Sequence, residues 1–257
     1  MKNIVCYLLI IFSIISCQED DTVNPSNNRT LCSIQQSSSF YENQPFAKFS
    51  YNYIYESGKL VKILESDLFG YTDSIVYIYN SANQLTYTLE SYYSMNKLDT
   101  TEKFIYNQSN QLTKALFLDD GVATGILTFS YSNGILSQML AEYTHSNSEK
   151  YRFKMRGGNI TEYELIEYDE KPVDQQEKLL ISYDSGFNPF QYIPNGEFNP
   201  IAFFSLRNTT KVEYNNDSTV EEISKSEYKY NPFNYPTEMI VYSFGDTVKS
   251  ELIYECN

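Results

Sequence analysis

The sequence predicts an all-β fold, a repetitive meander of antiparallel hairpins coiled into a barrel or half-barrel, with one short inserted helix near residues 200–206. The composition includes 25 Tyr and 16 Phe but no Trp, and aromatic residues favour strands. A motif of aromatic residues followed by a polar turn recurs along the chain. Hydrophobic side chains alternate around each motif, which is the period of a strand.

The repeat is clearest at residues 77–86 (YIYNSANQLT) and 104–113 (FIYNQSNQLT). In each unit two aromatic side chains share one strand face, Asn, Ser or Gly supplies a turn that tolerates positive φ, and an aliphatic residue opens the returning strand. Successive hairpins should therefore lie side by side. The second anchor of each unit falls at Tyr55, Tyr79, Tyr106, Tyr131, Met155 and Tyr183.

The residue between the two anchors faces the opposite side of the sheet, and its character changes along the chain. It is apolar at Ile54, Ile78 and Ile105 but polar at Ser130 and Lys154. This pattern predicts that the opposite face of the sheet is covered over the first three hairpins and exposed to solvent in the later ones. A sheet of this size must coil, which favours closure toward a barrel.

The repeat is interrupted between Tyr183 and Tyr230, which predicts an irregular insertion over residues 184–227. Within it, Asn199 and Pro200 precede the apolar run 201–206 (IAFFSL). An Asn N-cap and a Pro at the first helical position indicate a short helix. This helix could plug or cap the aromatic sheet.

The N-terminus has the pattern of a lipoprotein signal peptide over residues 1–16. Lys2 precedes an apolar run too short to span a bilayer, and Ser16 precedes Cys17. We expect Cys17 to be lipidated and to attach the protein to a membrane. Residues 17–38 are predicted to be a flexible tether and N-terminal segment, and residues 39–257 a single β-meander domain.

Charge and cysteine content limit the partners and the compartment. The net charge is −14, which makes nucleic acid a poor partner. Cys32 and Cys256 remain once the signal peptide and the lipidated cysteine are set aside, and cysteines outside the cytoplasm usually pair. We predict a disulfide between them; two unpaired thiols are the alternative.

The Tyr-Asn units resemble the tyrosine–aspartate repeats of the Rhs type, with Asn80 and Asn107 where Asp is typical and Asp184 matching it. Together with Cys17 and the insertion at 188–190, the chain resembles Bacteroidota lipoproteins of unknown function that have a porin-like meander fold. The resemblance implies an outer-membrane lipoprotein without an assigned activity. Residues 18–21 (QEDD) are similar to the acidic signal that exports such lipoproteins to the cell surface; an ordinary tether at the periplasmic face is the alternative.

Catalytic signatures are missing from the sequence. The single His145 lies in a predicted turn, and there is no phosphate loop, nucleophile elbow or Cys-x-x-Cys pair. Residues 119–121 (DDG) indicate a turn rather than a calcium site. We therefore predict no catalytic residue, metal or cofactor. A hydrolase whose carboxylates converge across the sheet stays open as an alternative.

The predicted function is a non-catalytic binding or structural role in the cell envelope. Aromatic residues of the insertion are candidates for contacting a glycan or peptide, because irregular segments often carry recognition. They are Phe190, Tyr192, Phe198, Phe203 and Phe204. A membrane-spanning porin conflicts with lipidation and with Lys154 and Lys229 on the outward strand face.

Five short patterns resemble the acceptor of Bacteroidota O-glycosylation, in which Asp precedes Ser or Thr; they lie at residues 21–23, 73–75, 99–101, 217–219 and 246–248. Residues 99–101 (DTT) and 217–219 (DST) would expose Thr100 and Ser218 if turns begin there. The same pattern is typical of a turn that enters a strand.

Overall fold

The computed structural model describes residues 32–41, 44–67, 69, 72–91, 97–173, 178–191, 198–215, 219–244 and 246–256. The signal peptide 1–16, Cys17, the acidic segment 18–21, Tyr192 and Ser218 lie outside these residues. In the described part, no helix is long and apolar enough to cross a membrane.

The described chain forms seventeen strands and one short helix. Their bounds in chain order are β1 (Cys32–Tyr41), β2 (Gln44–Glu56), β3 (Lys59–Ser66), β4 (Thr72–Tyr79), β5 (Leu85–Ser91), β6 (Asp99–Tyr106), β7 (Leu112–Asp119), β8 (Val122–Ser132), β9 (Ile135–Tyr143), β10 (Glu149–Arg156), β11 (Asn159–Tyr168), β12 (Lys171–Pro172), β13 (Lys178–Phe187), α1 (Pro200–Phe204), β14 (Arg207–Asn215), β15 (Val220–Tyr230), β16 (Pro236–Ser243) and β17 (Asp246–Cys256).

The strands form one antiparallel meander that closes on itself. Each strand pairs with the next, except that the two-residue β12 only extends the edge of β11, and β11 pairs directly with β13. β1 pairs with β2 on one side and with β17 on the other. The result is a barrel of sixteen strands, which confirms the predicted meander and selects the barrel over the half-barrel.

The hairpin turns are organised by asparagine. Asn80 Oδ1 accepts hydrogen bonds from the amides of Ala82 and Gln84, both at 3.0 Å, and Asn83 has φ +63°. The same arrangement recurs in the turns that begin at Asn107 and Asn231. Asparagine tolerates positive φ better than most residues, so these findings confirm the predicted turn chemistry.

The first aromatic residue of each unit is buried inside the barrel. These residues are Tyr53, Tyr77, Phe104, Phe129 and Phe153. The intervening Ile54, Ile78 and Ile105 face outward and are 39%, 42% and 38% exposed. The prediction that this second face is covered over the first three hairpins was wrong, because closure of the sheet turns that face to the outside.

The described residues of the connection from β13 to β14, 188–191 and 198–206, fold into the barrel and occupy part of its interior. The predicted insertion was too long, because β13 continues to Phe187 and residues 207–215 and 220–230 pair as β14 and β15. α1 is confirmed, and Asn199 Oδ1 caps it by accepting from the amides of Ile201 and Ala202. The helix ends at Phe204, before the extended Ser205. A sixteen-strand barrel is wide enough for a channel, and this insertion occupies it.

The N-terminal boundary also differs from the prediction. β1 begins at Cys32, so residues 32–38, assigned to the tether and N-terminal segment, belong to the barrel wall. The segment lacks an aromatic pair, which is why the repeat did not reveal it. The predicted disulfide is present, since Cys32 and Cys256 face each other across β1 and β17 and are joined with an S–S distance of 2.04 Å.

Candidate functional site: a cavity at one end of the barrel

One end of the barrel, here called the mouth, carries the turns that follow β2, β4, β6, β8 and β10. The repeat brings these turns to the same end, because every second turn of a meander lies on the same side. A cavity of about 730 Å³ opens there between the turns and the inserted segment. Its walls are built from equivalent positions of successive hairpins.

The wall of the cavity contains the second anchor of each unit. These residues are Tyr55, Tyr79, Tyr106, Tyr131 and Met155. The aliphatic residues that open the returning strands lie beside them, at Leu60, Leu85, Leu112 and Leu136. Phe203, Phe204 and Leu206 of the insertion form the inner side. The lining is therefore mainly aromatic and aliphatic.

Two of the tyrosine hydroxyls in this wall are used by the fold. Tyr79 donates to the backbone carbonyl of Leu60 at 2.9 Å, and Tyr131 donates to that of Leu112 at 2.8 Å. Burial raises the pKa of Tyr79 from 10.0 to about 12, because the phenolate would lose its hydration. With their hydroxyls engaged, the rings of Tyr79 and Tyr131 present an apolar surface to the cavity.

Amide side chains and one lysine form the rim. Gln84 Nε2 donates to Asn110 Oδ1 at 3.2 Å, and Lys59 Nζ donates to Asn83 Oδ1 at 2.5 Å. Lys59 also lies over the ring of Tyr79, 5.8 Å from its centroid. Among the described residues that line the cavity, Lys59 is the only one with a formal charge.

A buried carboxylate holds the inserted segment inside the barrel. Glu102 on β6 is only 5% exposed, and its Oε1 accepts from the amide of Phe198 at 3.1 Å. Its Oε2 accepts from Thr88 Oγ1 at 2.9 Å. Sequence reasoning missed Glu102, although it lies two residues before Phe104 and strand alternation therefore places it on the inward face.

Hydrogen bonds also fix the far side of the insertion. Ser205 is buried, and its Oγ accepts from the amide of Ile160 at 3.3 Å and lies 2.9 Å from Tyr183 Oη. Asn188 Nδ2 donates to the backbone carbonyls of Ala202 and Ser205. These bonds provide a donor for carbonyl groups at the C-terminal end of α1, which have no partner within the helix. The inner wall of the cavity is therefore anchored to β11 and β13.

The predicted ligand-contacting aromatics separate into two groups. Phe203 and Phe204 line the cavity. Phe198 is buried against Phe104 and Phe129, and Phe190 packs on Tyr53 with ring centroids 6.3 Å apart. Phe190 and Phe198 therefore belong to the core.

The predicted glycosylation site at Thr100 lies within a strand rather than at a turn. Asp99 and Thr100 are the first residues of β6, and Thr100 pairs with Leu89. Thr100 is half-buried. Glycosylation at this residue stays a prediction.

Inward carboxylates occur at the opposite end of the barrel. Glu65 on β3 faces Asp73 on β4. Burial raises the pKa of Glu65, and the negative charges of Asp73 and Glu90 add to that effect. Tyr51 donates its hydroxyl to Glu65 at 3.2 Å. No Asp, Glu or His is among the described residues that line the cavity.

Metal-binding geometry is not found among the described side chains, where no group of three or more His, Cys, Asp or Glu could hold an ion. His145 is exposed in the turn after β9, as predicted. Residues 119–121 also form a turn, with φ +48° at Asp120 and φ +77° at Gly121.

No family model and no curated protein matches the sequence. Among solved structures, the chain is similar to a porin-like protein from Bacteroides uniformis, with 13% identity, a TM-score of 0.38, and coverage of 86% of this chain and 98% of that one. A porin-like protein from Bacteroides vulgatus has 8% identity and a TM-score of 0.44 over 87% and 99% of the chains. The pore of the Photorhabdus luminescens Tc holotoxin has 9% identity and a TM-score of 0.34 over 75% of this chain and 12% of that chain. At these scores the similarities carry no functional inference.

Proposed function

We propose that the protein is a lipid-anchored envelope protein that binds an amphipathic molecule in the mouth of its barrel without transforming it. The observation that carries this proposal is the cavity, whose apolar walls enclose about 730 Å³ and whose rim carries one lysine. Small-molecule sites typically occupy about 300–1,000 Å³ and combine apolar walls with a few polar groups.

The chemistry of the lining indicates the kind of ligand. Leucine side chains and tyrosine rings with engaged hydroxyls suit an acyl or other apolar body. Lys59 at the rim suits an anionic head group, and the rim amides can add hydrogen bonds. A fatty-acid-like amphiphile therefore fits this cavity better than a glycan, which would need polar groups along the walls.

The cavity supports binding over hydrolysis. A general acid or base must lie within hydrogen-bonding reach of the bond that breaks, and the described lining supplies no carboxylate or imidazole for that role. Glu102 accepts hydrogen bonds from Thr88 and Phe198 and lies behind the insertion. Glu65 and Asp73 lie at the other end of the barrel.

The direction of β1 relates the cavity to the predicted lipid. β2 ends at the mouth, and β1 is antiparallel to it, so Cys32 at the start of β1 lies at the mouth end. The segment between Cys17 and Cys32 would then join the lipid to this end, and the cavity would open toward the membrane. Mass spectrometry of the mature N-terminus tests the anchor. The Cys17→Ala variant should no longer be found in the membrane fraction.

Ligand binding can be measured with dansyl-labelled undecanoic acid as a fluorescent probe. Met155→Trp should fill the cavity and abolish the fluorescence increase, whereas Met155→Leu should retain it. Lys59→Gln should weaken binding of this anionic probe but not of a dansyl-labelled alcohol of the same length.

A probe that binds Met155→Trp as tightly as the unmodified protein would contradict the cavity as the site. Saturable binding of a neutral oligosaccharide or a peptide, with none of the acyl probe, would contradict the proposed ligand class. Release of a shortened or hydrolysed product during the assay would favour the enzyme alternative.

A further inference from the structure

The outside of the barrel has two halves of different character. The half formed by β10 to β17, here called the ion-paired face, carries lysine or arginine beside glutamate. Examples are Arg152 with Glu164 at 2.6 Å, Lys154 with Glu162 at 2.8 Å, and Lys229 with Glu238 at 2.8 Å. Charged side chains of this kind are typical of a surface that faces water.

The other half, formed by the outward residues of β2 to β9 and here called the lysine face, is mainly apolar. Strand register places its side chains in rows across the barrel. Register gives three such rows: Ile54, Lys62, Val76, Leu89; then Ile78, Tyr87, Lys103, Leu116, Ile126 and, at its edge, Glu142; and then Ile105, Lys114, Thr128, Leu140. Exposed apolar patches of this extent mark interaction surfaces.

The lysines of this face are not neutralised by neighbours. No ion pair links Lys62, Lys103 or Lys114 to a carboxylate of the described chain. The exposed carboxylates described on β2 to β9 lie at or within one residue of a strand end, at Glu56, Asp119 and Glu142. The intervening carboxylates of these strands point inward or are buried. In a chain of net charge −14, the three lysines are therefore grouped away from the strand ends of this face, and its exposed carboxylates lie at those ends.

We propose that the lysine face lies against a bilayer that contains anionic lipids, with its isoleucines at the level of the head groups and its lysines contacting phosphates. Interfacial binding of proteins combines an apolar surface with basic residues in this way. Ile54, Ile78 and Ile105 each lie next to a second anchor of the cavity wall, so this contact would be strongest at the mouth end.

The same charges disfavour a second copy of the chain as the partner. A two-fold contact uses the same patch on both subunits, so it would set the three lysines of one copy against those of the other. Like charges brought together in this way oppose association. Anionic phosphate groups provide the complementary charge.

The inference goes beyond ligand binding and can be tested without the lipid anchor. The chain from residue 17 onward, with Cys17→Ser, is mixed with vesicles of phosphatidylcholine alone or with phosphatidylglycerol, and sedimentation gives the partition coefficient. We expect binding to the anionic vesicles that falls as salt is added. Replacing Lys62, Lys103 and Lys114 with Gln should lower the partition coefficient about fivefold per lysine.

A second variant tests the apolar part of the surface. Ile54→Ser, Ile78→Ser and Ile105→Ser together should abolish binding, and these outward positions leave the core intact. The matched control replaces Lys154, Lys225 and Lys229 with Gln and Val220 with Ser, and should bind within about twofold of the unmodified chain.

The proposal is overturned if anionic vesicles do not bind the unmodified chain, or if the control variant loses as much binding as the lysine-face variant. It is also overturned if the isoleucine variant abolishes self-association rather than vesicle binding, which would identify a second copy as the partner. Loss of vesicle binding with retention of the acyl probe would separate this inference from the proposed cavity function.

Discussion

The hydroxyl of Tyr131 on β8 donates a 2.8 Å hydrogen bond to the backbone carbonyl of Leu112 on β7. The equivalent bond joins Tyr79 to Leu60 and Tyr183 to Ile160. Each bond links the second anchor of one hairpin to the first residues of the strand before it. This explains why tyrosine rather than phenylalanine stands at these three second anchors.

Tyr131→Phe is expected to destabilise the protein by about 1 kcal/mol, because the carbonyl of Leu112 loses its donor while the ring still packs. Tyr131→Ala, or Tyr106→Ala at the equivalent position, should cost about 3–5 kcal/mol because the ring is also lost. Urea unfolding measures both effects. Tyr242→Phe, on the outer surface, is the control, and a loss there equal to that of Tyr131→Phe would contradict this explanation.

Glu102→Leu should loosen the inserted segment, since the amide of Phe198 and the hydroxyl of Thr88 both lose their acceptor. We expect a loss of about 1–3 kcal/mol and faster hydrogen exchange at the amide of Phe203 in α1. Glu102→Gln keeps an acceptor oxygen and should have a smaller effect. Unchanged exchange in Glu102→Leu would show that aromatic packing alone holds the insertion.

Replacing Cys32 and Cys256 with Ser should lower the free energy of unfolding by about 4–5 kcal/mol in the loop-entropy account of cross-links. The two residues are 224 positions apart, so the disulfide constrains nearly the whole described chain in the unfolded state. Unfolding with and without reductant measures the difference. If reductant destabilises the double variant as well, the effect cannot be assigned to this bond.

Alkaline pH should unfold the barrel between about pH 10 and 12. Burial raises the pKa of Tyr53, Tyr79 and Tyr183 from 10.0 to about 12, so the unfolded chain loses these protons first. Stability is therefore full below pH 10 and is lost as the pH rises through the folded-state values. The difference in phenolate absorbance between the unmodified chain and Tyr79→Phe isolates one buried tyrosine, and this signal should change together with circular dichroism. Ionisation of Tyr79 near pH 10 while circular dichroism stays that of the folded protein would refute its shift.

The local parts of this fold could be predicted because they depend on short stretches of sequence. The turn at residues 80–84 follows from the ability of Asn80 to accept backbone amides and of Asn83 to adopt positive φ. The helix at Pro200–Phe204 follows in the same way from Asn199 and the proline. The insertion was predicted too long, because β14 lacks the aromatic pair and β15 carries it only at its end, at Tyr228 and Tyr230.

The candidate site was only partly predictable. Phe203 and Phe204 were named from the insertion and do line the cavity, but Phe190 and Phe198 pack in the core. Lys59 and Glu102 were missed, since neither belongs to a recognisable motif. Their importance depends on which side chains from distant strands lie next to them.

By itself, the sequence determined the hairpin repeat, its turns, the inward anchors and the short helix, because alternation and turn chemistry act within one or two strands. The tertiary structure alone decided that β1 and β17 meet, since closure is a contact between the two ends of the chain. Closure turned Ile54, Ile78 and Ile105 outward beside unpaired lysines, and it gave the inserted helix an interior to fill. The cavity exists because that helix occupies part of a barrel whose width is fixed by the number of its strands.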